Sequence, residues 1–110
     1  MKGALALRKP VGTAAMLDTS STSVTNSAYV QLQASTASSC NAIQISNSGA
    51  QPLLLALGSA GNEVNTGIVI APASGGQWLI PIEIKSGVRI SVKSLNATQS
   101  SGIVSICYFQ

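Results

Sequence analysis

The chain has 110 residues, of which 45% are apolar and only 8% are charged, and its net charge is +3. This length fits a single domain, the apolar content excludes a disordered chain, and the lack of an apolar run of about 18 residues excludes a membrane-spanning helix. Because an ordinary soluble domain carries about 25% charged residues, a surface this poor in charge favours association, and we expect partners to cover much of it.

Residues 1–12 are predicted to form an extended basic arm. The arm carries Lys2, Arg8 and Lys9, and the proline that follows Lys9 biases this residue toward an extended conformation. Its apolar stretch of about five residues is shorter than the roughly seven that a secretion signal needs, so we expect no such signal. With Leu5 and Leu7, the arm is suited to lie across a neighbour and add a strand to its sheet; a disordered terminus is the alternative.

Residues 13–110 are predicted to form a single all-β domain. Short apolar segments alternate with turn residues, which is the spacing typical of a sandwich or a barrel. The pattern favours a β-sandwich or jelly roll of about eight short antiparallel strands. The predicted strands span residues 14–17, 29–34, 42–46, 52–57, 67–71, 78–84, 88–94 and 103–109.

Two segments stand out from this pattern. The segment 52–57 is apolar at every position, whereas a sandwich strand normally has one polar face. Either the fold covers both of its faces, or one face meets another subunit. The polar run 18–27 is the longest predicted loop, and it serves either as a contact surface or as a solvated connection.

The residues needed for catalysis are largely missing. The chain has no His, which removes the most common general base and any Ser-His-Asp or Cys-His arrangement. The three acids, Asp18, Glu63 and Glu83, occupy unrelated positions in the predicted fold, so no carboxylate pair is expected. The glycine-rich segment 58–63 lacks the Gly-Lys-Ser/Thr ending of a phosphate-binding loop. We therefore expect no enzymatic activity and no cofactor.

The two cysteines, Cys40 and Cys107, lie in apolar segments that resemble strands. Neither belongs to a C-x-x-C motif, and without His they cannot complete a zinc site of the usual kind, so we expect no bound metal. We interpret them as buried free thiols. A disulfide, which would imply an oxidising compartment, is the alternative.

Three basic residues, Lys85, Arg89 and Lys93, share the same parity in sequence. In an unbroken strand they would form a basic line about 26 Å long on one face. This line is a candidate docking surface for an acidic partner; an ordinary solvated face is the alternative, and Gly87 favours a turn at Lys85. The chain has one Trp, two Tyr and one Phe, too few stacking aromatics to favour binding to nucleic acid.

Four segments carry a resemblance: GNEV at 61–64, GIVIAP at 67–72, IEIKSGVRISVKS at 82–94 and SGIVSI at 101–106. They resemble short β-rich virion proteins encoded in the structural modules of tailed bacteriophages, with capsid decoration (cement) proteins as the nearest analogues. Their residues are largely turn and core positions. The resemblance carries over no catalytic residue.

The resemblance implies a role in the virion. A decoration protein would bind the major capsid protein across coat-subunit junctions and stabilise the head, at the capsid surface of a particle assembled in the host cytoplasm. Homodimers or homotrimers are expected because shells offer two-fold and three-fold sites. A tail, fibre or host-recognition component, with the loop 18–27 as its contact surface, is the alternative. A carbohydrate-binding module is disfavoured by the scarcity of aromatic rings.

Overall fold

The computed structural model describes residues 8–73 and 79–110. All regular elements of this part of the chain are β-strands, so it contains no helix long and apolar enough to cross a membrane. The strands are β1 (Pro10–Asp18), β2 (Val30–Gln33), β3 (Cys40–Asn47), β4 (Leu53–Leu57), β5 (Val64–Ile70), β6 (Leu79–Ile84), β7 (Ile90–Ser94) and β8 (Ile103–Phe109).

The strands form two antiparallel sheets of four strands each. Sheet I has the order β1-β8-β3-β6, and sheet II has the order β2-β7-β4-β5. Contacts of β1 with β2 and of β3 with β5 pack the sheets against each other. The predicted all-β fold with about eight antiparallel strands is confirmed, as a β-sandwich. The short strand predicted at 14–17 is longer than expected, because β1 spans nine residues.

The core follows from the two-residue period of the strands, which sends alternate side chains to the space between the sheets. In β8, Val104, Ile106 and Tyr108 are buried there. In the neighbouring β3, Ile43 pairs with Tyr108 and Ile45 pairs with Ile106 in the register. Sheet II contributes buried residues from all four of its strands: Leu32, Leu53, Leu55, Ile70, Ile90 and Val92. Each buried aliphatic side chain contributes about 1.5–3 kcal/mol of transfer free energy to folding.

Strand β4 contains the segment that is apolar on both faces. Leu53 and Leu55 lie in the core, and Ala56, which has the opposite parity, is also fully buried. In the register Ala56 lies between Ser91 of β7 and Asn65 of β5. The fold therefore covers Ala56 itself, as in the first of the two predicted alternatives.

Strand β1 begins within the segment predicted as an arm, so residues 10–12 belong to sheet I. The backbone of Lys9 exchanges two hydrogen bonds with that of Gln110, at 2.8 and 2.9 Å. The guanidinium of Arg8 donates a hydrogen bond to Asn41 Oδ1 at 2.6 Å. Three predicted partner-binding residues lie outside the described residues: Lys2, Leu5 and Leu7.

A cluster of buried polar side chains joins three loops at one end of the sandwich. We call Thr19, Asn47 and Gln99 the polar cluster. Gln99 Nε2 donates to Asn47 Oδ1 at 2.8 Å, and Asn47 Nδ2 donates to Gln99 Oε1 at 3.1 Å. Thr19 Oγ1 donates to the carbonyl of Gly102 at 2.8 Å. These bonds connect the loop after β1 and the end of β3 to the loop before β8.

Candidate docking surfaces

The outer face of sheet II carries the predicted basic line, and its charges are largely satisfied within the fold. Arg89 lies 3.0 Å from a carboxylate oxygen of Glu63, and its Nε donates to Gln31 Oε1 at 3.0 Å. Lys93 Nζ lies 4.7 Å from the centroid of the Tyr29 ring. Two members of the line are thus partnered on the face itself, which weakens the case for an acidic docking partner there.

Lys85, the third member, lies in the turn between β6 and β7 and is exposed. It therefore precedes the strand, as Gly87 indicated. The basic line does not extend along one unbroken strand.

Two of the three acids have local partners. Asp18 accepts hydrogen bonds from the Ser20 hydroxyl and backbone N–H, which hold the pKa of its carboxyl below the ordinary value. The pKa of Glu63 is lowered by its own backbone N–H and that of Gly61, and by Arg89. Glu83 is exposed on β6. Within the described ranges, no group of three or more Asp, Glu or Cys side chains is placed to hold a metal ion.

The outer face of sheet I differs sharply from that of sheet II. Its two central strands, β8 and β3, present only uncharged side chains, among which the Ser46 and Ser105 hydroxyls share a hydrogen bond of 2.7 Å. On the flanking strands, Met16 is 70% exposed and Leu79 is 44% exposed. We call this surface the uncharged face; its residues are Met16, Gln44, Ser46, Leu79, Pro81, Ile103, Ser105, Cys107 and Phe109, which cover the buried Ala42.

The register between β1 and β8 adds a hollow to the uncharged face. Between Val11 and Ala15 the pairing shifts, because β1 carries more residues than β8 in this stretch. The resulting bulge leaves a cavity of about 290 Å³ beside Cys107 and Phe109. Two acids lie on the same side of sheet I at its margins: Asp18 pairs with Ile103 in the register, and Glu83 has the parity of Leu79 and Pro81. The centre of the face is therefore apolar to neutral and indented, and its charges lie at the ends of the edge strands.

A separate cleft opens between β5 and β6, the edge strands of the two sheets. It has a volume of about 350 Å³, and Leu57, Val64, Ile84 and Val88 provide its apolar lining. Val64 is 67% exposed. Local sequence patterns did not predict this cleft, because it depends on which two edge strands lie on the same side of the sandwich. We call it the edge cleft.

The two cysteines are free thiols, in agreement with the favoured interpretation. Cys40 is buried, whereas Cys107 is only half-buried, because it points to the uncharged face and not to the core. Burial raises the pKa of Cys40 above its ordinary 9.0 and raises that of Tyr108 above its ordinary 10.0. The nearby Cys40 and Cys107 raise the pKa of Tyr108 further.

These shifts predict a loss of stability at alkaline pH. Both groups are neutral when protonated. Because the pKa of each is higher in the folded state than in the unfolded state, the folded protein is fully stable below the unfolded-state pKa and loses stability as the pH rises above it. We expect the free energy of unfolding to fall above about pH 9 by at most about 1.4 kcal/mol per pH unit for each group, and the melting temperature to fall with it. Thermal melts from pH 7 to 11 measure this. The Tyr108→Phe variant should fall less steeply above pH 10; an identical slope would contradict the assignment.

The described surface thus divides into a charged face, on which Arg89 pairs with Glu63 and Lys93 lies over the Tyr29 ring, an uncharged face, and an edge cleft. No protein family, curated protein or solved structure matches the chain.

Proposed function

We propose that the protein is a non-catalytic capsid decoration (cement) protein, which binds the major capsid protein across coat-subunit junctions and stabilises the head. The observation that supports this proposal best is the uncharged face of sheet I, with Met16 70% and Leu79 44% exposed. Depletion of charge is the compositional mark of an interface core. The resemblance of the sequence to short virion proteins supplies the class of partner.

The dimensions of the uncharged face support a partial interface. Four strands about 4.8 Å apart give the face a width of about 19 Å, and seven residues of about 3.3 Å each give it a length of about 23 Å. A stable interface buries about 600 Å² or more on each partner. The face therefore provides most of the required contact, and the edge strands that flank it provide the remainder.

The proposed mechanism is mechanical. A copy that spans a junction between coat subunits binds the assembled shell and not the free subunits. Binding therefore favours the assembled state by mass action, in proportion to the logarithm of the concentration over Kd. No proton transfer or bond cleavage is required, in keeping with a chain that has no His.

Substitutions on the two outer faces test the proposal. Met16→Lys places a charge on the uncharged face, and we expect it to weaken binding to capsids stripped of this protein by at least about tenfold. The matched control is Val69→Lys, at a residue of sheet II that is 51% exposed, and it should bind like the parent chain. Co-sedimentation with capsids measures both. Equal binding by all three chains would overturn the role of the uncharged face.

The alternative of a tail, fibre or host-recognition component has one structural feature in its favour. The loop 18–27 is fixed to the scaffold, because the buried Val24 exchanges two backbone hydrogen bonds with Gln99. A fixed polar loop on a rigid sandwich suits recognition. The copy number per virion separates the two proposals, since shell symmetry calls for on the order of hundreds of copies and a tail for tens or fewer.

A further inference from the structure

The edge cleft exposes apolar surface that the sandwich would be expected to cover. Val64 pairs with Leu57 in the register and lies at the open margin between the sheets, where it is 67% exposed. Leu57, Ile84 and Val88 line the same space. Because β5 and β6 are the last strands of their sheets, no further described strand closes this side. An apolar segment inserted here would cover Val64, which now faces solvent, and the half-buried Leu57 and Val88.

We propose that the edge cleft binds the N-terminal segment of a second copy of this chain, residues 1–7, through Leu5 and Leu7. These leucines are two residues apart, so in an extended segment both point to the same side. Glu83 lines the mouth of the cleft and offers a carboxylate to Lys2, while Lys85 beside it keeps the mouth neutral overall. The complementarity is therefore apolar, between the two leucines and the apolar lining of the cleft, because Glu83 and Lys85 cancel in charge at its mouth.

The reach of the chain selects a second copy as the source of the segment. Arg8 is held at the β1 edge of sheet I, where Lys9 pairs with Gln110. Leu7 and Leu5 precede Arg8 by one and three residues, so their Cα atoms extend at most about 4 and 11 Å from it. The strands β1 and β6 lie three spacings apart, about 14 Å. The two leucines of one chain therefore cannot together enter the edge cleft of that same chain.

Exchange of this segment yields closed oligomers. When each copy donates residues 1–7 and accepts the same segment, the interface closes as a two-fold dimer or a cyclic trimer. The exchange uses the edge cleft and leaves the uncharged face of sheet I available. Self-association and attachment to a capsid are thus separate events on separate surfaces.

Light scattering coupled to size exclusion tests the proposal without any capsid, so its outcome is independent of the proposed function. We expect the full chain to have the mass of a closed dimer or trimer. Deletion of residues 1–7, and separately Val64→Lys, should each weaken association at least about tenfold and give monomers. Val69→Lys lies on the same strand outside the cleft and should keep the parent mass. A truncated chain that retains the parent mass, or a monomeric parent, overturns the proposal.

A disulfide trap identifies the occupant directly. A copy with Leu5→Cys is mixed with a copy of different mass that carries Val64→Cys, and the linked peptides are identified by mass spectrometry. We expect the linkage to join the two different copies. A chain that carries both substitutions and closes the bond within a monomer would overturn the assignment to a second copy.

Discussion

Replacement of Gln99 by Leu is expected to lower the free energy of unfolding by about 3–5 kcal/mol. The Gln99 amide is buried and makes four side-chain hydrogen bonds, to Thr19, to Gln51 and two to Asn47. Leu has a similar size but leaves the backbone N–H of Gln51 without its side-chain acceptor. An unsatisfied buried group costs about 1–3 kcal/mol, and each lost bond adds about 0.5–1.5 kcal/mol. Urea denaturation and thermal melts measure the loss.

The neighbouring residue provides the control for this substitution. Ser100 is exposed, so Ser100→Ala should change stability by less than about 0.5 kcal/mol. A chain of this length shifts its melting temperature by about 4 °C or more per kcal/mol, so the two variants should differ by at least about 10 °C. A loss below about 1 kcal/mol for Gln99→Leu would show that the polar cluster contributes little net stability, and that its bonds only offset the desolvation of its amides.

The strands could be predicted because their signal is local. In β7, Ile90 and Val92 alternate with Ser91 and Lys93, and this period depends only on the backbone and on which face is buried. Strand β5 was predicted to begin at residue 67 but begins at Val64. The segment 64–66 reads as a turn from its Asn and Gly neighbours, yet Thr66 Oγ1 donates to the carbonyl of Leu55 at 2.8 Å, which ties it to β4. Tertiary pairing overrode local preference there.

The docking surfaces could be predicted only in part. Low charge indicated that partners cover the surface, but not which face is uncharged, because this depends on the order of strands in each sheet. The partners of Arg89 are 26 and 58 residues away in sequence. Their distance explains why a basic line that looked free is paired. The edge cleft likewise depends on β5 and β6 being edge strands, which no local pattern encodes.

The polar cluster shows the same limit within the fold. Asn47 and Gln99 are 52 residues apart, and each lies in a polar, turn-like segment that sequence reasoning assigns to solvent. Here two such segments meet and exclude water. A buried amide pair of this kind requires the two loops to approach closely, and Gly49 and Gly102 allow their backbones to do so.

Gly102→Ala is expected to lower the free energy of unfolding by more than about 3 kcal/mol, for two reasons that act together. Gly102 has φ +108°, a conformation that residues with a Cβ rarely adopt. A Cβ at this position would also lie 2.5 Å from both Cα and N of Gly49, which are backbone atoms that cannot rotate away. The turn after β3 would have to move, and the hydrogen bond from the Gly49 N–H to Asn47 would be disturbed with it.

Gly87 separates these two causes. Its φ is +84°, but a Cβ there would meet nothing within 4 Å, so Gly87→Ala carries the conformational cost alone, about 1–2 kcal/mol. Denaturant titration of both variants should therefore show the larger loss at Gly102, and the difference between them measures the cost of separating the two backbones. Equal losses would mean that the loops move apart without cost. In that case the polar cluster, and not the contact of Gly102 with Gly49, would hold this end of the sandwich together.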